Sequence, residues 1–167
     1  MFLRTLAAAL LGIATLVTAQ SLADPTWTGP GHVYVIESDP YAGWGPDDWQ
    51  PAKIGCLNAF GQLIADNGNC AVFQAEVTTM SSIQGGCGRT IREGNGAEPY
   101  VLSCSSEKHQ YSDFYRLNNQ RVPIYLSYGE GYLAWCCNGK PTGDQVFDLY
   151  NGPGWDQLSV ALLWIPL

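Results

Sequence analysis

The chain has 167 residues, six of them cysteine, and a formal net charge of -7 at pH 7. That length suits one domain. With 14% charged and 46% hydrophobic residues it is neither a disordered tail nor a coiled coil, and its acidic balance argues against nucleic acid and anionic membrane as partners.

Residues 1–19 read as a secretory signal peptide. Arg4 supplies the positive start, an apolar run follows, and Val17-Thr18-Ala19 offers small residues for cleavage before Gln20. The run is short for a bilayer of about 30 Å, so an anchor is not expected. Residues 20–167 then form a single secreted domain with seven basic and fifteen acidic residues, net -8.

Residues 24–51 carry Pro25, Pro30, Pro40, Pro46 and Pro51, so much of this stretch should be ordered loop. Its richest part holds Asp39, Tyr41, Trp44, Asp47, Asp48 and Trp49 among prolines and glycines. Aromatic faces stack on sugar C–H surfaces and carboxylates accept hydrogen bonds from hydroxyls. Tyr41, Trp44, Asp47, Asp48 and Trp49 are therefore the candidate ligand-binding residues. The alternative is an Ω-loop whose tryptophans pack beneath the sheet. The aspartates lack calcium-loop spacing, so no metal is expected there.

The rest reads as short strands between turns. Asn-Gly occurs at 67–68, 95–96, 138–139 and 151–152, and Gly85-Gly86 adds a further turn signal. Residues 33–37 are β-branched and aromatic. At 71–78, Ala71, Phe73, Ala75 and Val77 alternate with Val72, Gln74, Glu76 and Thr78, the pattern of a half-buried strand. Further strands are expected at 100–104, 114–117, 124–128, 132–136 and 146–150, and a weaker one at 60–65. Residues 158–165 are apolar on both faces except Ser159, which predicts a central strand. The fold class is all-β: a disulfide-stabilised antiparallel β-sandwich or small β-barrel.

Secretion makes disulfides the default for Cys56, Cys70, Cys87, Cys104, Cys136 and Cys137. Paired Cys-x-x-Cys spacing for zinc is absent. Six cysteines allow fifteen pairings. Local pairing, 56 with 70 and 87 with 104, is the simplest, and each bridge would contribute about 3 kcal/mol. Adjacent residues on a strand face opposite ways, so Cys136 and Cys137 should reach two different partners; a vicinal bridge at the Asn138-Gly139 turn is the alternative.

Catalytic motifs are sparse. There is no Gly-x-Ser-x-Gly elbow, and only His32 and His109 could serve a Ser-His-Asp site. His109, between Lys108 and Gln110, reads as an exposed loop residue. Glu37, Glu93, Glu98, Glu130, Asp148 and Asp156 lie near turns, with no spacing that marks a glycosidase pair. A copper-dependent polysaccharide oxygenase needs histidine as its first mature residue, and Gln20 is not one. No catalytic residues and no cofactor are assigned.

The order Gly55-Cys56-Leu57, Cys70 to Ala75, Gly86-Cys87-Gly88 and Cys104, with the terminal Val160 to Trp164 strand, resembles small secreted cysteine-rich proteins of filamentous fungi. That group includes candidate effectors. The resemblance implies an extracellular binding role with a protein or glycan partner. The Cys136-Cys137 pair departs from the simpler four-cysteine pattern, so the resemblance carries no bridge topology with it.

Overall fold

The alternation of inward apolar and outward polar residues closes one sheet on itself. The computed structural model describes residues 28–37, 52–91, 100–107, 109, 114–116, 124–127, 135–151 and 157–167. They form thirteen strands and no helix: β1 (Thr28–Glu37), β2 (Lys53–Leu57), β3 (Leu63–Ile64), β4 (Phe73–Glu76), β5 (Thr79–Ser82), β6 (Gly85–Ile91), β7 (Tyr100–Ser105), β8 (Tyr115–Arg116), β9 (Ile124–Ser127), β10 (Trp135–Cys137), β11 (Val146–Phe147), β12 (Tyr150–Asn151) and β13 (Leu158–Pro166). Every pairing is antiparallel.

Strands β1, β4, β5, β6, β7, β12, β10 and β13 follow one another, and β13 returns to β1, closing an eight-stranded barrel. Of the two architectures expected, the barrel is the one formed. Closure leaves the eight barrel strands paired on both sides, and the sheet ends only in β11 and β8 among the described residues. Two flaps branch from it. One edge of β1 pairs with β4 through residues 28–31 and with β2 through residues 34–36, so β2, β3 and β11 peel away there. In the same way β13 pairs with β10 at its start and with β9 further on.

β1 shows how sequence builds the wall. Gly31, Val33 and Val35 are buried, whereas His32 and Tyr34 are only half-buried. β4 keeps the expected alternation, with Phe73 and Ala75 buried and Gln74 and Glu76 exposed. Inside, Val33, Val35, Leu57, Leu63, Phe73, Met80, Trp135, Leu149, Leu162 and Trp164 join one continuous core that also takes in Cys87, Cys104 and Cys137. The lumen is filled by side chains, as small barrels require.

Three expectations need correction. The strand expected at 33–37 starts earlier: β1 begins at Thr28 and runs through Pro30, while most of the stretch 24–51 expected as loop lies outside the described residues. Proline is tolerated near a strand start because a missing N–H costs least there, and the Pro30 carbonyl still accepts from the Leu167 N–H at 3.0 Å. Gly85-Gly86 is not a turn but the opening of β6; the turn is Ile83-Gln84, between the paired Ser82 and Gly85. The single strand expected at 146–150 is two short ones, β11 and β12, on different neighbours.

Both local disulfides are present, Cys56–Cys70 and Cys87–Cys104. The second joins residues directly opposite each other on β6 and β7. Cys136 and Cys137 were expected in bridges and instead carry thiols. Strand β10 runs through both, so their side chains diverge, and the other four cysteines are already paired. Cys137 faces the core. The Cys136 thiol donates to Gln157 Oε1 at 2.8 Å, on the opposite side of the strand.

Candidate functional site

The ligand-binding residues read from sequence, Tyr41, Trp44, Asp47, Asp48 and Trp49, lie outside the described residues, as does the signal segment 1–19. The two points from which their loop springs are described. β1 delivers the chain at Glu37 and β2 resumes it at Lys53, with Ile36 opposite Lys53 in register. A local irregularity between Val35 and Ile36 shifts the pairing. Such a shift re-aims the side chains beyond it.

Charge and aromatic contacts fix both stems. Lys140, from the segment after β10, reaches Glu37 Oε2 at 2.6 Å. Both partners are about half exposed, so the pair contributes at most about 1 kcal/mol. Lys53 Nζ sits 3.7 Å from the centre of the Tyr34 ring, a cation–π contact worth roughly 0.5–1 kcal/mol at an exposed site. His32, two residues back on the same face, meets Tyr34 edge-on with ring centres 6.3 Å apart. Its Nδ1 lies 2.8 Å from the Ala71 carbonyl. A carbonyl only accepts, so Nδ1 carries a proton and donates to it.

This face also has an apolar strip. Ile36, Ala161 and Leu163 form a second buried cluster outside the barrel, flanked by Tyr34 and Ile165. The β1–β13 register explains it: Tyr34 faces Leu163 and Ile36 faces Ala161. Hence β13 is apolar on both sides, as its sequence requires. The described residues on either side of segment 38–51 thus lie beside one imidazole, one phenol, one ammonium and an aliphatic strip.

His109 is not an exposed loop residue; it is buried. Its Nε2 donates to the Gly86 carbonyl at 2.6 Å, and its Nδ1 faces the Ser103 hydroxyl at 3.5 Å. Ser103 in turn meets Thr90 Oγ1 at 3.3 Å. Charged and amide neighbours in sequence suggested exposure, whereas two ring nitrogens with partners on β6 and β7 make burial affordable.

Glu37 is engaged by Lys140, and Asp148 accepts from Gln62 Nε2 at 3.0 Å. Cys56, Asp66 and Cys70 bring their ligand atoms within 4.8 Å of one another, but the two sulfurs are bonded to each other. Burial pushes the Cys137 thiol above its ordinary value, against a smaller opposing effect of the Gly139 backbone. No helix among the described residues is long and apolar enough to cross a membrane.

No protein-family model, curated protein or solved structure matches the chain.

Proposed function

We propose that this is a secreted binding protein that meets an extracellular partner through the loop joining β1 to β2. Two disulfides in a small β-barrel are compatible with an extracellular setting. The observation that carries the reading is the filled interior: one continuous core occupies the lumen, so a partner must be met from outside. What supports a contact through Tyr41, Trp44, Asp47, Asp48 and Trp49 is their residue chemistry together with the cluster of His32, Tyr34 and Lys53 described beside the two ends of their segment. On this reading the partner is a host protein, the role of an effector-like molecule.

A second reading, a carbohydrate-binding module, is favoured by the aromatic and carboxylate content of the same loop. One experiment separates the two. Residues 20–167, produced in an oxidising host, are incubated with insoluble chitin, cellulose, xylan and β-glucan. Selective retention that Trp44→Ala abolishes at unchanged melting temperature supports the glycan reading. Retention on none leaves the protein partner. If Trp44→Ala or Trp49→Ala unfolds the protein, those rings are core and the loop is not the contact.

A further inference from the structure

Four Asn-Gly pairs punctuate the chain, and in two of them, Asn67-Gly68 and Asn138-Gly139, both residues are described. Such a pair is chemically reactive as well as a turn former. Glycine has no Cβ to shield its backbone nitrogen, so that nitrogen can reach the side-chain carbonyl carbon of the preceding asparagine. Asn67 and Asn138 are both exposed, so access of water does not distinguish them. The hydrogen bonds of their side chains do.

At Asn67 the side chain folds back on its own backbone. Its Oδ1 accepts from the Asn69 N–H at 3.3 Å, an Asx turn whose closed ring contains the Gly68 nitrogen. Gly68 holds φ at 87°, and a Cβ there would meet nothing within 4 Å, so no neighbouring segment crowds the position. Among the described residues, no group accepts from the Gly68 N–H. The Asn69 N–H also faces the oxygen on which negative charge develops during attack, the role of an oxyanion donor.

At Asn138 the side chain is committed elsewhere. Its Oδ1 accepts from Gln157 Nε2 at 3.0 Å, and Gln157 Oε1 accepts in turn from the Cys136 thiol at 2.8 Å. Cys136 is buried, so this relay is anchored in the barrel wall. Asn58 offers a third case. It too accepts from the N–H two residues on, at 3.0 Å, but the intervening residue is Ala59, whose Cβ screens the nitrogen, and Asn58 Nδ2 is held by Gln62 Oε1 at 3.3 Å.

We propose that Asn67 is a site of spontaneous deamidation and that the Cys136–Gln157 relay protects Asn138 from the same reaction. The Gly68 nitrogen gives up its proton and bonds to Asn67 Cγ. The Cγ–Nδ2 bond breaks, and the departing nitrogen takes up a proton and leaves as ammonia. Water then opens the cyclic imide. Opening at Cγ gives aspartate; opening at the α-carbonyl gives isoaspartate, whose main chain runs through an added methylene. No electron is transferred, and water is the only co-reactant. Either product sets a second carboxylate next to Asp66 and makes a chain of net charge -7 one unit more negative. The altered backbone lies inside the loop closed by Cys56–Cys70, between two fixed points. This chemistry does not depend on what the protein binds.

The folded, disulfide-intact protein is incubated in mildly alkaline buffer and mapped by peptide mass spectrometry, with isoaspartate labelled by an isoaspartyl methyltransferase. The reduced, denatured chain, in which neither pair keeps its tertiary contacts, is the reference. The expected result is product at Asn67 at least tenfold faster than at Asn138 in the folded protein, comparable rates in the denatured chain, and no product at Asn58. Asn67→Gln, an exposed change expected to keep the melting temperature, removes the new acidic species. Gln157→Ala frees Asn138 and is expected to raise its rate severalfold while Asn67 is unchanged. If that variant loses stability, Gln157→Glu serves, because it keeps an acceptor for the Cys136 thiol and loses the donor to Asn138. Equal rates at the two sites in the folded protein, or an Asn67 as inert as Asn58, overturns the site. An unchanged Asn138 rate in a folded Gln157 variant overturns the protection.

Discussion

Gly31 leaves no room for a Cβ beside the Trp164 ring, and replacing it by alanine is a sharp test of the packing described above. It pairs with Phe73 on β4 and with Pro166 on β13. A Cβ at this residue would collide with the Trp164 ring at Cζ2, lie 2.6 Å from Cε2, and come within 2.8 Å of the Ile165 carbonyl. Trp164 is 2% exposed and belongs to the central core, so the ring has no free direction in which to retreat. Overpacking of this kind costs about 1–3 kcal/mol. Alanine also reduces the freedom of the unfolded chain, which restores about 0.4–1 kcal/mol. The clash wins over most of that range, and a net loss of up to about 2.5 kcal/mol lowers the melting temperature by up to about 10 °C in a domain of this size. Gly86→Ala is the internal control, because a Cβ there meets nothing within 4 Å. Its entropy gain stands alone and should raise the melting temperature by about 1–4 °C. Thermal unfolding followed by tryptophan fluorescence and circular dichroism reads both. Equal shifts, or a Gly31→Ala protein as stable as wild type, would refute the account of Trp164 filling the space over that glycine.

Two further expectations follow from local geometry. Val77, at the tip of the β4–β5 turn, holds φ at 56° although its side chain branches at Cβ. Asparagine adopts that conformation more readily, so Val77→Asn should raise unfolding free energy in urea by about 1 kcal/mol; a loss would show that the Val77 side chain packs more than its exposure implies. Burial raises the Cys137 thiol above its ordinary 9.0, so the folded state holds that proton more tightly than the unfolded chain does. The resulting stability is complete below pH 9.0 and is lost as the pH climbs past it. Unfolding free energy measured from pH 8 upward should therefore fall more steeply for wild type than for Cys137→Ala, and parallel curves would contradict the assignment.

Strands β4 and β13 were the most legible part of the sequence. The alternation at Phe73 to Glu76 and the two-sided apolar run of β13 each follow from a periodicity of two, and the structure keeps both. β2, β5 and β6 were not legible. Their residues are mostly Gly, Ser, Thr and Lys, which carry little strand signal; they are strands because neighbours on both sides supply hydrogen bonds. The two bridges followed from proximity in sequence, whereas the state of Cys136 and Cys137 depended on whether β10 continued through both. Of the site, sequence pointed to the aromatic loop but not to the cluster beside its two ends. His32, Tyr34 and Lys53 converge only through the β1–β2 pairing and the Ala71 carbonyl, which are tertiary facts.

The seam between β1 and β13 joins residues 31–37 to residues 160–166, the first and last strands described. Each buries its inward side chains only once the other has arrived, so the cylinder cannot shut until almost the whole chain is available. Contacts between such distant residues make folding slow. During that interval β1 and its neighbours present an open edge and an unburied row of valines, the state most prone to pair with another chain. Loss of the last ten residues would leave that edge permanently open. A nascent or clipped protein of this design is therefore most exposed to association with other chains until its C-terminal strand docks.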